Sequence, residues 1–243
     1  MNNEKTKNHT LIIGGSSGIG KSLAIKFAKE DNVSVLARRD NLLKDLEANN
    51  SNIFSLSSDV ISFDSLKDSI EACVEQYGKL DRLIYCAGKQ IIKPHRLLNI
   101  EDINSLIDVN LKGALFTSKI FLSSKISEKN SVFCVISSIA SFKPEPGIVA
   151  YSAMKSALDT MVKGLAKESA PRRFVGVAPG WLDTEMTQGQ AIYNESFIND
   201  LENRSPLGLT QISDIVDAVE FLTREQATSI TGDILVVDSG SSL

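Results

Sequence analysis

The stretch IIGGSSGIGKSLA, residues 12–24, decides how the rest of this chain is read. A β-branched run ends at Gly14 and an amphipathic run opens at Lys21, with Gly18 and Gly20 between them. A glycine-rich turn from strand to helix lets the backbone approach a pyrophosphate. The helix N-terminus then offers free N–H groups and the positive end of its dipole. The spacing is G-x-x-x-G-x-G rather than G-x-G-x-x-G, and a glycine loop with no ligand would look the same. A nucleotide-dependent methyltransferase also fits at this point. The rest of the sequence has to choose.

Outward from that turn, short apolar runs alternate with longer amphipathic ones. Strand patterns lie at 10–14, 33–37, 52–56, 80–88, 131–137, 173–180 and 233–238. Helix patterns lie at 21–30, 41–49, 65–77, 102–127, 150–168 and 212–222. Regular alternation with nearly continuous apolar strands implies a parallel sheet covered on both faces. The expected fold is α/β: a Rossmann-type, doubly wound, seven-stranded parallel sheet with helices on both faces. No low-complexity linker or composition break divides residues 1–243, so one dinucleotide-binding and catalytic domain is expected. The polar segment 187–206 reads as irregular and long enough for a lid. Its Ile192, Phe197, Ile198 and Leu201 would give it one apolar face, as an amphipathic surface helix would also show.

Composition removes several classes of function. At 42% hydrophobic and 23% charged residues the chain is neither disordered nor fibrous. A net charge of −4 gives no basic footprint for nucleic acid; the densest basic spots are Arg38-Arg39 and Arg172-Arg173. Three cysteines, Cys73, Cys86 and Cys134, show no C-x-x-C spacing, and there are only two histidines. Neither a disulfide framework nor a metal site is expected. The polar start MNNEKTKNHT has no apolar signal region, and no apolar run reaches membrane-spanning length. A cytoplasmic location without membrane contact is the expectation.

The second strand narrows the ligand. Dinucleotide sites that take NAD place an acidic residue about 20 positions on, where it holds the ribose 2′-hydroxyl. Here the region reads VLARRD, with Arg38 and Arg39 in place of a carboxylate. Two guanidiniums suit a 2′-phosphate, so NADP(H) is expected over NAD(H). Asp59-Val60, just after the third strand, could hold the adenine edge.

A phenol and an ammonium on one helix face, one turn apart, come from the pattern Y-x-x-x-K. Two copies occur, Tyr85 with Lys89 and Tyr151 with Lys155. The first begins at a strand end and crosses Gly88. The second lies in the helical AYSAMKSAL, thirteen residues after Ser138 at the end of the fifth strand. Ligands bind at the carboxyl ends of strands in such sheets, so context selects Tyr151 and Lys155.

Together these residues resemble the short-chain dehydrogenase/reductase family in its shorter form. The likeness runs from about residue 10 to 240: GGSSGIG, Asp59-Val60, Ala87-Gly88, VNLKG with Asn110, Ser137-Ser138, YSAMK, APGWLDTEM and TGDILVVDSG. It implies a catalytic set of Asn110, Ser138, Tyr151 and Lys155. It implies cofactor contacts from Gly14, Ser16, Ser17, Gly18, Ile19, Gly20, Arg38, Arg39, Asp59, Val60, Ala87, Gly88, Tyr151, Lys155, Pro179, Gly180, Leu182 and Thr184. Tyr151 would protonate a carbonyl oxygen, Lys155 would lower the phenol's pKa, Ser138 would orient the substrate, and Asn110 would hold a water linking Lys155 to solvent. A homodimer or homotetramer is implied, pairing the helices near 102–127 and 150–168 and, at a second contact, the last strand.

Four positions depart from the family pattern. Ile13 stands for a threonine, Tyr85-Cys86 for two asparagines, and Val175 for another asparagine. The second change should put a thiol near the cofactor and reshape its wall. Ile91, Ile92, Pro144, Ile148 and Trp181 are candidate pocket walls, suited to a hydrophobic ketone, an acyl thioester or a steroid-like ring. Overall similarity leans toward 3-oxoacyl reductases. The alternative is a redox sensor or scaffold that binds NADP(H) without turnover.

Overall fold

Strand-forming apolar runs and amphipathic helices assemble as the alternation requires. The computed structural model describes residues 7–188 and 194–243. The strands are β1 His9–Ile13, β2 Asn32–Ala37, β3 Ile53–Ser57, β4 Leu80–Tyr85, β5 Ser127–Ile136, β6 Arg173–Pro179 and β7 Ile234–Val237. They form one sheet in the order β3-β2-β1-β4-β5-β6-β7, parallel at every pairing. The helices are α1 Gly18–Phe27, α2 Asp40–Ala48, α3 Phe63–Tyr77, α4 Ile100–Ile107, α5 Gly113–Phe121, α6 Val149–Glu168, α7 Glu195–Arg204 and α8 Ile212–Thr223.

Alternate strand residues face opposite ways, so the sheet builds two cores. Ile12, Val35, Ile84, Cys134 and Val175 pack beneath Leu23 and Phe27 of α1, Leu43 of α2, and Ile215 and Val219 of α8. Leu11, Ile13, Leu83, Tyr85, Phe133 and Phe174 pack beneath Leu66 of α3, Phe121 of α5 and Leu158 of α6. Ile13 and Val175, two of the departures, are therefore core residues on opposite faces.

The expected single helix 102–127 differs in three ways. It starts earlier, at Ile100, where Asn99 and Asp102 close a reciprocal capping box. It is interrupted by a π-helical turn, Asp108–Lys112, between α4 and α5. It stops at Phe121, because Ser127 turns its hydroxyl back onto the Phe121 carbonyl (2.6 Å) and residue 127 joins the sheet beside Leu80. Within 187–206, a helix replaces part of the irregular reading. Asn194 accepts from the Phe197 N–H at 3.0 Å and starts α7. Ile192 lies outside the described residues.

A charged cluster closes the amino-terminal end of the sheet. Arg82 of β4, 6% exposed, donates to Asp31 at 2.9 Å and to the Thr223 carbonyl at 3.0 Å. Arg224 reaches the other Asp31 oxygen at 3.5 Å and pairs with Glu30 and Glu220. Both guanidiniums lie over the Phe27 ring, at 5.8 and 5.2 Å. The basic pair Arg172-Arg173 is likewise spent inside the fold: Arg172 on Ser127, Arg173 on the Leu222 and Ile230 carbonyls. Among the described residues no helix is long and apolar enough to cross a membrane.

Candidate active site

The carboxyl ends of β1, β2, β4, β5 and β6 open into one cleft of about 900 Å³. Gly14 ends β1 with φ +87°, a conformation that L side chains avoid. A Cβ there would lie 2.6 Å from the Ala87 nitrogen, so the glycine lets the first turn close against the end of β4. Ser17 precedes α1 but makes no side-chain cap, and no acidic residue sits in the first turn. The helix therefore presents open N–H groups and the positive end of its dipole to the cleft, the arrangement a pyrophosphate needs. Thr184 crosses opposite this turn, its methyl 3.8 Å from where a Gly18 Cβ would lie. The cleft thus fits a dinucleotide.

Of the residues expected at the site, all but one line this cleft: Gly14, Ser16, Ser17, Gly18, Ile19, Gly20, Arg38, Arg39, Asp59, Val60, Ala87, Gly88, Ser138, Tyr151, Lys155, Pro179, Gly180, Leu182 and Thr184. Asn110 is the exception. It is fully buried behind Gly88, within the π-helical turn. Its amide donates to the Lys89 and Leu106 carbonyls at 2.8 and 3.0 Å, and its oxygen accepts from the Lys89 N–H at 3.1 Å. Both amide hydrogens are spent on main-chain groups. The side chain braces the 88–89 loop.

Tyr151 and Lys155 share one face of α6. The Lys155 Nζ lies 5.5 Å from the Tyr151 ring centroid and donates to the Ile136 carbonyl at 2.7 Å, which draws it to the end of β5. Burial pushes the Lys155 ammonium down to about 8, against the opposing pull of Asp159 and Cys86. Ser138 accepts from the Ala140 N–H at 3.2 Å, leaving its hydroxyl proton to donate. Its neighbour Ser137 turns away and donates to Asp159 at 2.5 Å.

The Tyr85-Cys86 departure resolves into two roles. Tyr85 is 1% exposed and donates to the Val109 carbonyl at 2.6 Å, tying β4 to the π-helical turn. It packs so closely on Gly113 that a Cβ there would overlap its hydroxyl, and would lie 2.8 Å from Val60. Cys86 does line the cleft, and burial pushes its thiol far above the ordinary range. It is a neutral wall atom, since the thiolate is the reactive form.

The substrate side is more mixed than the sequence suggests. Ile92, Ile148 and Trp181 line it, with Phe197 and Leu201 of α7; Ile91, Pro144 and Ile198 do not. Ile139, Pro146 and Met186 complete the apolar wall, and Lys143, Glu145, Asp200 and Arg204 form its rim. The rim charges are matched: Arg204 pairs with Asp200 at 2.9 Å and Glu145 at 3.7 Å, and Lys143 donates to the Ser241 carbonyl at 3.0 Å. No periodicity marks these residues, because three separate connections supply them.

Known proteins share this fold. The family described as short chain dehydrogenase matches residues 8–193. The chain belongs to the short-chain dehydrogenase family. It is 30% identical over 241 residues to the 3-oxoacyl-(acyl-carrier-protein) reductase of Thermotoga maritima, covering 95% of this chain and 96% of that one. It is 35% identical over 239 residues to carbonyl reductase family member 4 of Xenopus tropicalis, covering 96% and 97%. The crystal structure of a 3-ketoacyl-(acyl-carrier-protein) reductase from Brucella melitensis, complexed with NADH, superposes with a TM-score of 0.90. That match is at 25% identity and covers 97% of this chain and 98% of the other.

Proposed function

We propose that this short-chain dehydrogenase is an NADP(H)-dependent oxidoreductase that interconverts a carbonyl and an alcohol, with Tyr151 as proton donor and acceptor. The observation that carries the reading is the meeting of Tyr151, Lys155 and Ser138 in the same cleft as the uncapped end of α1. When bound, the cofactor supplies the hydride equivalent. Ser138 holds the substrate oxygen by donating to it, and Tyr151 gives that oxygen its proton. Lys155, a cation beside the phenol, favours the phenolate that remains. Asn110 acts through the loop it braces, keeping Gly88 and Lys89 against the cleft. The apolar wall and matched rim suit a hydrophobic ketone or a 3-oxoacyl thioester. A single domain binds the cofactor and carries the catalysis, with α7 as lid. Exposed Ile100, Leu115 and Val149 on α4 to α6, and exposed Leu235 and Val236 on the edge strand β7, support a homodimer or homotetramer.

The testing experiment is a titration with NADPH and NADH, followed by loss of NADPH absorbance against ketones and acyl thioesters. NADPH preference with turnover is the expected result. Tight binding without turnover on any carbonyl would return the protein to the sensor class, which the neutral Cys86 thiol does not favour.

Two further results are expected. Arg38 lines the cleft with no ion pair among the described residues, so it is placed to meet a 2′-phosphate. Arg38→Asp should weaken NADPH binding about 10–100-fold, the worth of one charge-assisted bond, and leave NADH nearly unchanged. Equal losses for both cofactors would remove that role. Lys155 is a cation below about pH 8 and neutral above it. Its charge is lost as pH rises, so kcat/KM, which reports the free enzyme, should fall with an apparent pKa near 8. A profile still flat well above that value would take Lys155 out of the proton step.

A further inference from the structure

The mouth of the glycine turn already holds an anion, and the anion belongs to the protein. Arg39 Nη2 donates to Ser17 Oγ at 2.6 Å and to Ser16 Oγ at 3.0 Å, while its Nη1 pairs with Glu185 at 2.7 Å. Glu185 follows Thr184 in the segment that crosses over the start of α1. The Arg39 guanidinium and then the Ser17 hydroxyl hold its carboxyl below the usual carboxylate range. Because Arg39 donates to both serine oxygens, both hydroxyl protons remain available to an anion. A guanidinium, two hydroxyls and an open helix N-terminus form a set of donors that matches a phosphate monoester at least as well as a carboxylate.

We propose that Glu185 is the resident occupant of this cradle, and that a phosphate group of the nucleotide must displace it to bind. This rests on the reading that a phosphate-bearing nucleotide fills the cleft. Two anions cannot share one guanidinium at contact distance without repulsion, so Glu185 competes with the ligand. The residue thereby sets how strongly the pocket rewards an added phosphate. Arg38 attracts that phosphate, and Glu185 on Arg39 opposes it. The arrangement was invisible in the sequence, since Arg39 and Glu185 are 146 positions apart.

Two probes separate the phosphates the cradle could take: adenosine 2′-monophosphate and adenosine 5′-monophosphate. Each is titrated calorimetrically into the full chain and into Glu185→Gln. The Glu185 side chain is 57% exposed, so the near-isosteric amide leaves the packing intact. The 2′-monophosphate is expected to bind about tenfold more tightly to the variant, equivalent to about 1.4 kcal/mol, and the 5′-monophosphate within about twofold of wild type. Tightening of the 5′-monophosphate alone would support displacement and assign the cradle to the pyrophosphate instead. Unchanged affinity for both probes would overturn the proposal. So would weaker binding, which would make Glu185 a ligand-holding residue. Failure of the NADP(H) reading appears elsewhere, as a wild-type preference for NADH over NADPH.

Discussion

Tyr151→Phe is expected to lower kcat by about 10²–10⁴-fold on any accepted carbonyl, the usual worth of a positioned proton donor, with a far smaller loss of NADPH affinity. The ring is 8% exposed and contributes to the wall of the cleft, so phenylalanine keeps the packing and removes only the hydroxyl. The hydroxyl carries the chemistry because a carbonyl oxygen gains charge as its carbon is reduced, and a proton must be within reach. Ser138 can donate a hydrogen bond to that oxygen. Tyr151 shares its helix face with the Lys155 ammonium, 5.5 Å from the ring centroid. Stopped-flow absorbance of NADPH gives the rate, and a fluorescence titration gives the affinity. Turnover within about tenfold of wild type would place the proton donor elsewhere. A parallel loss of cofactor affinity would mean that the variant disturbs the cleft instead.

Asp31→Ala is expected to cost about 3–5 kcal/mol of stability, read as a shift in the urea midpoint at unchanged slope. The carboxylate is the shared partner of Arg82 and Arg224. Removing it leaves the Arg82 guanidinium buried at 6% exposure between Phe27 and the Thr223 carbonyl, with no counter-charge at contact distance among the described residues. Burial already lowers the pKa of that guanidinium, a sign of the strain on its charge. Replacing both partners with apolar residues, Asp31→Leu with Arg82→Met, should recover most of the loss, because the penalty is the orphaned charge rather than the missing pair. A cost below about 1 kcal/mol in the single variant would show that water reaches Arg82.

What was legible in the chain was what period and local context encode. Ile12 to Ala24 announced strand, turn and helix, because β-branched and amphipathic runs differ in period and glycine marks the join. Tyr151 and Lys155 were readable because α6 is a long, regular helix that places them one turn apart. The π-helical turn at Asp108–Lys112 was not readable. It is a one-residue slip in backbone hydrogen bonding with no residue type of its own. The orientation of Asn110 follows from that slip, so its burial behind Gly88 was missed with it. Helix α7 was legible only as the amphipathic alternative to an irregular lid, and the cap at Asn194 was the signal that would have chosen it. The Arg39–Glu185 pair depends on chain crossing, which no local pattern records.

The charged cluster and the catalytic cleft sit at opposite ends of the same strands. Arg82 lies in the first half of β4 and Cys86 just past its end; Thr10 lies near the start of β1 and Gly14 just past its end. Four residues separate the members of each pair, about 13 Å of strand. Changes at such a distance, with no shared partner, add independently. The connections that shape the cleft can therefore be rewritten for a new substrate without drawing on the reserve that keeps the sheet closed. A lineage carrying this fold can inherit its scaffold and its chemistry separately.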